Sequence, residues 1–261
     1  MVIKLVSSDL NGTLVHQNTM GDMIRLYKKQ INGTVTIKKA FSIAGPLTKG
    51  LTLRQAIEYT KIHMKYVDGF KKFIDDLRNA KIPLVINSTA YSVTIYSIIE
   101  QVGKDKIHGQ ICNSLKFVKN GDSNSPLKED ELKRLVAKYF ENPNSTKNNI
   151  YDRIQATGVV ELGIQDESDK AKLIISYVKK HFPAIKPDEI AHIGDSMGDS
   201  RGIYDIAKQG GLGIAFNYNG ALEKFLKEKL ASEKISGKIV LIEPKSEFAN
   251  LMRIVPHLLD Q

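Results

Sequence analysis

Scarce cysteine and the lack of any long apolar run set the first bounds on this chain. Among 261 residues there is one cysteine, Cys112, so no disulfide can close within the chain. That usage fits a reducing compartment, with Cys112 as a small core filler. No apolar run reaches the roughly 18 residues of a membrane span. The chain opens without a charged segment, a long apolar stretch and a cleavage site, so no secretory signal is expected and the cytoplasm is the expected compartment. Zinc-finger spacings, the aromatic signature of RNA-binding sheets and dense basic blocks are missing too. The formal charge of +9 and the pI of about 9.3 come from lysines spread along the chain, as at Lys28-Lys29 and Lys224 to Lys229. The plainer reading is solvated helix faces; the functional one is a field that attracts anions. Without a nucleic-acid motif, a small anionic molecule is the expected partner.

A hydrophobic fraction of 42% is ample for a core. Val2, Ile3, Leu5 and Val6 make a short apolar run that suits a strand buried on both faces of a parallel sheet. The run ends in Asp9-Leu10-Asn11-Gly12-Thr13, residues that favour a turn. A carboxylate at the C-terminal tip of a central strand lies where open α/β sheets bind ligands; the plainer alternative is a solvated turn. A second apolar strand, Glu189 to Ile193, runs into Gly194-Asp195-Ser196-Met197-Gly198-Asp199. Asp9, Asp195 and Asp199 would then be hard oxygen ligands at neighbouring strand tips, the set Mg²⁺ prefers when it shares a phosphate oxygen.

Between these ends, strands alternate with helices of about 10–15 residues, which predicts a doubly wound parallel sheet. Residues 16–65 read as a small helical insertion, with helices expected at Met20–Gln30, Thr36–Ile43 (broken at Gly45-Pro46) and Leu51–Met64. The core then comprises 1–15 and 66–261, with an elaboration around 117–156. In the core, Ile82–Asn87 is a strand followed at its tip by Ser88 and Thr89, hydroxyls placed to cap the next helix or to donate to a phosphate oxygen. Gly158–Gly163 reads as a further strand and Phe248–Leu259 as a closing helix. Lys170 and Lys172 open a helix against its dipole, a position where their charge is better used on an anion, although one of the two can be simply solvated. His192, inside an apolar strand, reads as a satisfied sheet histidine.

Taken in order, Asp9-Leu10-Asn11-Gly12-Thr13, Ser88, Lys170 and Gly194-Asp195-x-x-x-Asp199 resemble the haloacid dehalogenase superfamily, whose first motif runs DxDxT and whose last runs GDxxxD. The resemblance implies a Rossmann-like core with a smaller, mainly helical cap. It implies Asp9 as the nucleophile that forms a phosphoaspartate, and Ser88 and Lys170 on the transferring phosphoryl group. It also implies Mg²⁺ on Asp9, the backbone carbonyl of Asn11 and Asp195, with Asp199 on the ion or just behind it. Backbone N–H groups of Leu10 to Gly12, with Thr89, would complete the phosphate site. The expected function is a Mg²⁺-dependent phosphatase or phosphotransferase for a small phosphorylated metabolite. Asn11 departs from the pattern, because the family's phosphatases usually carry a second aspartate there for general acid–base work. The alternative is a catalytically silent module that binds a phospholigand or a protein. Dehalogenases need no metal, so the Asp195/Asp199 pair argues against that branch.

Overall fold

The computed structural model describes residues 2–17, 36–119, 125–142, 144, 147–243 and 250–259. At its centre lies β1 (Leu5–Ser8), hydrogen-bonded in parallel to β2 (Leu84–Tyr91) on one side and β5 (Ile190–Gly194) on the other. Beyond β2 come β3 (Gly109–Lys119) and β4 (Ile154–Glu161); beyond β5 come β6 (Leu212–Phe216) and β7 (Lys238–Ile242). The order of the seven-stranded sheet is β4-β3-β2-β1-β5-β6-β7. All strand pairs are parallel except β3 with β4.

The central strands are apolar because both faces are covered. With a period of two, Leu5 joins Val85 and Ile190 on one face, against Ala171, Ile174 and Val178 of helix α7 (Asp169–His181). Val6 joins Leu84, Ile86, Ala191 and Ile193 on the other. There they meet Phe70, Phe73, Ile74 and Leu77 of α3 (Phe70–Asn79). The parallel connections put the C-terminal tips of β1, β2 and β5 at one edge, and the acidic motifs leave from that edge.

Several sequence expectations shift in detail. β1 starts at Leu5 rather than Val2, which is 59% exposed, and runs on through the buried serines Ser7 and Ser8. β2 continues past Asn87 to Tyr91. The strand expected at Gly158–Gly163 is β4, which begins at Ile154 and is an antiparallel edge rather than part of the parallel series. Helix α1 (Ile37–Leu47) is not broken at Gly45-Pro46. Proline near the end forfeits one hydrogen bond of the last turn, and Gly45 serves a close approach: a Cβ there would lie 2.7 Å from the carbonyl oxygen of Gly158 on β4. Of the expected closing helix, the described part is a 3₁₀ turn at Leu251–Arg253 followed by a short α-helix, Val255–Leu259. The helix expected at Met20–Gln30 lies outside the described residues.

The segment inserted after β1 is pinned at its root. His16 N–H donates to the Lys65 carbonyl (2.8 Å), Val67 N–H to the Leu14 carbonyl (3.0 Å), and Val15 bridges Tyr66. Its helix α2 (Leu53–His63) begins with a capping box between Thr52 and Gln55. The buried side of α2, Leu53, Ala56 and Ile57, enters a second core. That core also takes Val93 and Tyr96 of α4 (Ser92–Val102), Val136 and Tyr139 of α5 (Glu129–Glu141), and Phe117 and Ile154 of the β3–β4 pair. The inserted helices and the β3–β4 region therefore bury their apolar faces against each other. No helix among the described residues is long and apolar enough to cross a membrane.

Candidate active site

Asp9 follows the last residue of β1, its N–H bonded to the carbonyl of Ile193 on β5 (2.9 Å). The chain then turns back on itself: the N–H groups of Leu14 and Val15 reach the Leu10 carbonyl at 2.9 and 3.0 Å. Gly12 takes φ of +81°, where side chains are strained. The Asp195 carboxylate lies over it, 2.3 Å from where a Cβ would stand. Glycine is required here by both conformation and space. Thr13 Oγ1 donates to Asp195 Oδ1 (3.2 Å), so the first motif seats the carboxylate of the last.

The other carboxylate of that motif is packed as closely. A Cβ on Gly194 would lie 2.2 Å from Asp199 Cγ. Asp199 Oδ2 accepts from the Ser196 N–H (3.3 Å) and hydroxyl (3.2 Å), and Oδ1 accepts from Lys170 Nζ. Lys170 sits in the first turn of α7 with its ammonium buried, and the same Nζ donates to Asp9 Oδ1 at 2.8 Å. Lys172, the other lysine of that turn, bonds Ser168 Oγ (2.9 Å) in an exposed position away from Asp9.

A buried polar chain runs beneath these groups. The Asn87 amide donates to the Lys170 carbonyl (2.9 Å) and to Ser7 Oγ (3.3 Å). Ser7 Oγ meets His192 Nδ1 at 3.0 Å, and His192 Nε2 faces Asp199 Oδ1 at 3.6 Å. If Ser7 donates to Nδ1, the imidazole proton lies on Nε2, which faces the carboxylate beyond hydrogen-bond distance. A Cβ on Gly202 would come within 2.5 Å of that nitrogen. The histidine expected to be satisfied in the sheet is so only at Nδ1; Nε2 is buried with no hydrogen-bond partner among the described residues, 3.6 Å from Asp199 Oδ1.

The electrostatics follow from burial. Removal from water pushes Asp9 up to about 6; Asp199 adds to the rise and Lys170 opposes it. Asp195 is raised well above the usual carboxylate range by burial, then by Asp199 and Asp9. For Asp199 burial acts in the same direction, but Lys170 and His192 outweigh it and hold the group below its ordinary value. Burial works against the Lys170 charge, yet Asp199 and Asp9 keep the ammonium above its usual range. One oxygen each of Asp9, Asp195 and Asp199 lie within 4.8 Å of one another. Three buried carboxylates around one ammonium form an under-compensated, hard-oxygen cluster, the donor chemistry of a small divalent cation.

Ser88, buried on β2, hydrogen-bonds toward Asp9 and lowers its pKa. Its Oγ also accepts from Ala90 N–H (3.2 Å), so it does not cap α4. Asn11 and Thr89 border a cavity of about 590 Å³ between the sheet edge and the inserted helices. Gly12 differs from expectation: its N–H is taken by the Val15 carbonyl (2.8 Å), which closes the turn and leaves no donor there for a phosphate oxygen. Leu10 is buried, and its carbonyl anchors that same turn. Thr13, Asn87 and the Ser7–His192 pair received no role from sequence. Thr13 carried a signal as the threonine of the first motif, and Asn87 as a polar residue ending the apolar run Ile82–Ile86.

A mostly parallel sheet with an insertion after its central strand, and acidic motifs converging at one edge, give the chain the haloacid dehalogenase-like fold. A phosphoserine phosphatase of Archaeoglobus fulgidus is 22% identical over 245 residues, 94% of this chain and 58% of that protein. The chain thus spans little more than half the length of the curated relative it matches. Among solved structures, a substrate-bound phosphoserine phosphatase complex superposes with a TM-score of 0.65 at 17% identity, covering 99% of each chain. A HAD family hydrolase from Salmonella enterica serovar Typhi gives 0.66 at 11% identity over 100% of this chain and 73% of its own. No family model matches the sequence.

Proposed function

We propose that this chain is a phosphomonoesterase or phosphotransferase for a small phosphorylated molecule, working through a phosphoaspartate on Asp9 with Mg²⁺ as its cation. The observation that carries the reading is the buried contact of Lys170 Nζ with Asp9 Oδ1 at 2.8 Å inside the carboxylate cluster. A carboxylate can approach a phosphate dianion only where cations screen the repulsion. Asp9, Asp195 and Asp199, with the Asn11 carbonyl, would hold the divalent ion, which when bound supplies charge neutralisation at the phosphoryl oxygens. Solved phosphoserine phosphatases, one titled as a phospho-aspartyl intermediate analogue, share the fold at 18% identity or less and support the same chemistry here.

In this reading Lys170 holds Oδ1 of Asp9, and Oδ2 forms the new bond to phosphorus as the ester P–O bond breaks. Ser88 and Lys170 take the phosphoryl oxygens. The departing alkoxide takes its proton from water, because Asn11 has none to give. Water then attacks phosphorus and releases Asp9 and inorganic phosphate, again without a carboxylate at position 11 to accept the proton. An acceptor alcohol in place of water gives phosphotransfer. The helices of 16–65 act as the cap, supported from below by the 117–156 region. The second reading, a silent phospholigand-binding module, draws on Asn11 alone.

The test is hydrolysis of para-nitrophenyl phosphate with millimolar Mg²⁺. The parent is expected to turn over slowly, and Asp9→Asn or chelator to abolish the activity. Unchanged turnover by Asp9→Asn would overturn the phosphoaspartate.

A further inference from the structure

The cavity beside Asn11 and Thr89 has a chemistry of its own. At about 590 Å³ it falls in the range of small-molecule sites. Its walls are mostly apolar: Phe41 of α1, Leu51 just before α2, Tyr59 and Ile62 of α2, Val93 of α4 and Leu115 of β3. Ile62 is 65% exposed and Tyr59 46%, although both are large and apolar. Exposed apolar side chains lining a concave surface mark a binding site better than a solvated face. Among the described residues no lysine or arginine lines the cavity; its titratable groups are His63 and one carboxylate, Glu58, which accepts a hydrogen bond from Tyr139. A ligand carboxylate placed here would give up water for apolar walls and an acidic neighbour, with no lysine or arginine among the described residues to receive it. A ring would gain by the same move.

We infer that this cavity takes the alcohol portion of the substrate, and that the substrate is a phosphate monoester of an apolar, ring-sized alcohol with no second anionic group. The inference rests on the phosphate lying at Asp9, as proposed above. It separates this chain from a phosphoserine-like ligand, whose small skeleton carries a carboxylate and an ammonium.

Titration calorimetry with non-hydrolysable phosphonates in Mg²⁺ tests this without relying on turnover. The probes are 2-phenylethylphosphonate, 2-amino-4-phosphonobutanoate (the phosphonate counterpart of phosphoserine) and inorganic phosphate. The phenyl compound is expected to bind at least about tenfold more tightly than the amino acid, the gain from burying one aromatic ring. Ile62→Lys, at an exposed position where folding is not at stake, should narrow or reverse that ratio by supplying a cation. Equal or tighter binding of the amino acid phosphonate by the parent would overturn the inference and leave the phosphoryl-transfer reading standing. Binding of none of the three, phosphate included, would overturn both.

Discussion

In the proposed mechanism Asn11 occupies the position at which one atom decides the rate. It borders the cavity, two residues from the proposed nucleophile Asp9, and an amide keeps the shape of a carboxylate while losing its proton exchange. General acid–base catalysis is worth about 10²–10⁴-fold. Asn11→Asp is therefore expected to raise kcat for para-nitrophenyl phosphate by about two orders of magnitude or more in steady-state assays. A change of less than about twofold would remove position 11 from the chemistry. Cys112 is the contrasting residue. Burial, with Glu129 nearby, pushes its thiol up to about 12, against about 8.5 for a free cysteine. At pH 8 the thiolate fraction is then about 10⁻⁴, so alkylation by iodoacetamide should run on the order of 10³-fold slower than at an exposed thiol. Because the native pKa lies above the free one, the rate should climb about tenfold per pH unit from pH 8 to 11. Mass spectrometry of timed aliquots measures it; free-thiol kinetics at pH 8 would refute the burial argument.

The inserted helices are held at the scale of elements by two different devices. The root is a pair of backbone hydrogen bonds around Val15 and Tyr66, while the body docks through the second core and an Arg54 fork onto Asp152 (2.7 and 2.9 Å). The fork is partly solvated, so the apolar contact dominates. Ile57→Ala, at a fully buried position, should cost about 2–5 kcal/mol, whereas Ile62→Ala on the exposed side of α2 should stay within about 0.5 kcal/mol. Urea midpoints compare the two. Such docking was invisible in the sequence, where 16–65 and 117–156 read as separate pieces. The apolar runs at Leu84–Ile86 and Ile190–Ile193 announced buried strands because their pattern is local. The antiparallel edge β4 and the continuation of α1 through Pro46 depend on partners far along the chain. The same division runs through the site. Asp9, Asp195, Asp199 and Lys170 were legible from motif order. The Ser7–His192 contact exists because those residues are register partners across β1 and β5, and no spacing encodes sheet order.

At the scale of the whole molecule two fields oppose each other. The chain carries a formal charge of +9, which draws anions in from a distance, yet the sheet edge gathers three carboxylates, two of them on one buried ammonium. These carboxylates come from both ends of the sequence and meet only in the folded chain, so a cation that bridges them binds the native state alone. Mass action then stabilises the fold by RT ln(1 + [L]/Kd), about 2.7 kcal/mol at one hundred times Kd. For a chain of this size that is a rise in Tm of roughly 5–10 °C. Asp195→Asn tests the assignment from the other side. Its carboxyl is raised well above the ordinary range, meaning that the metal-free fold disfavours its charge. The variant should therefore melt no lower than the parent in chelator, and its Tm should stay flat as MgCl₂ is added. Scanning fluorimetry or calorimetry of both proteins, with and without the cation, reads all of these values. A parent Tm indifferent to MgCl₂ would mean that Lys170 is the only cation the cluster uses.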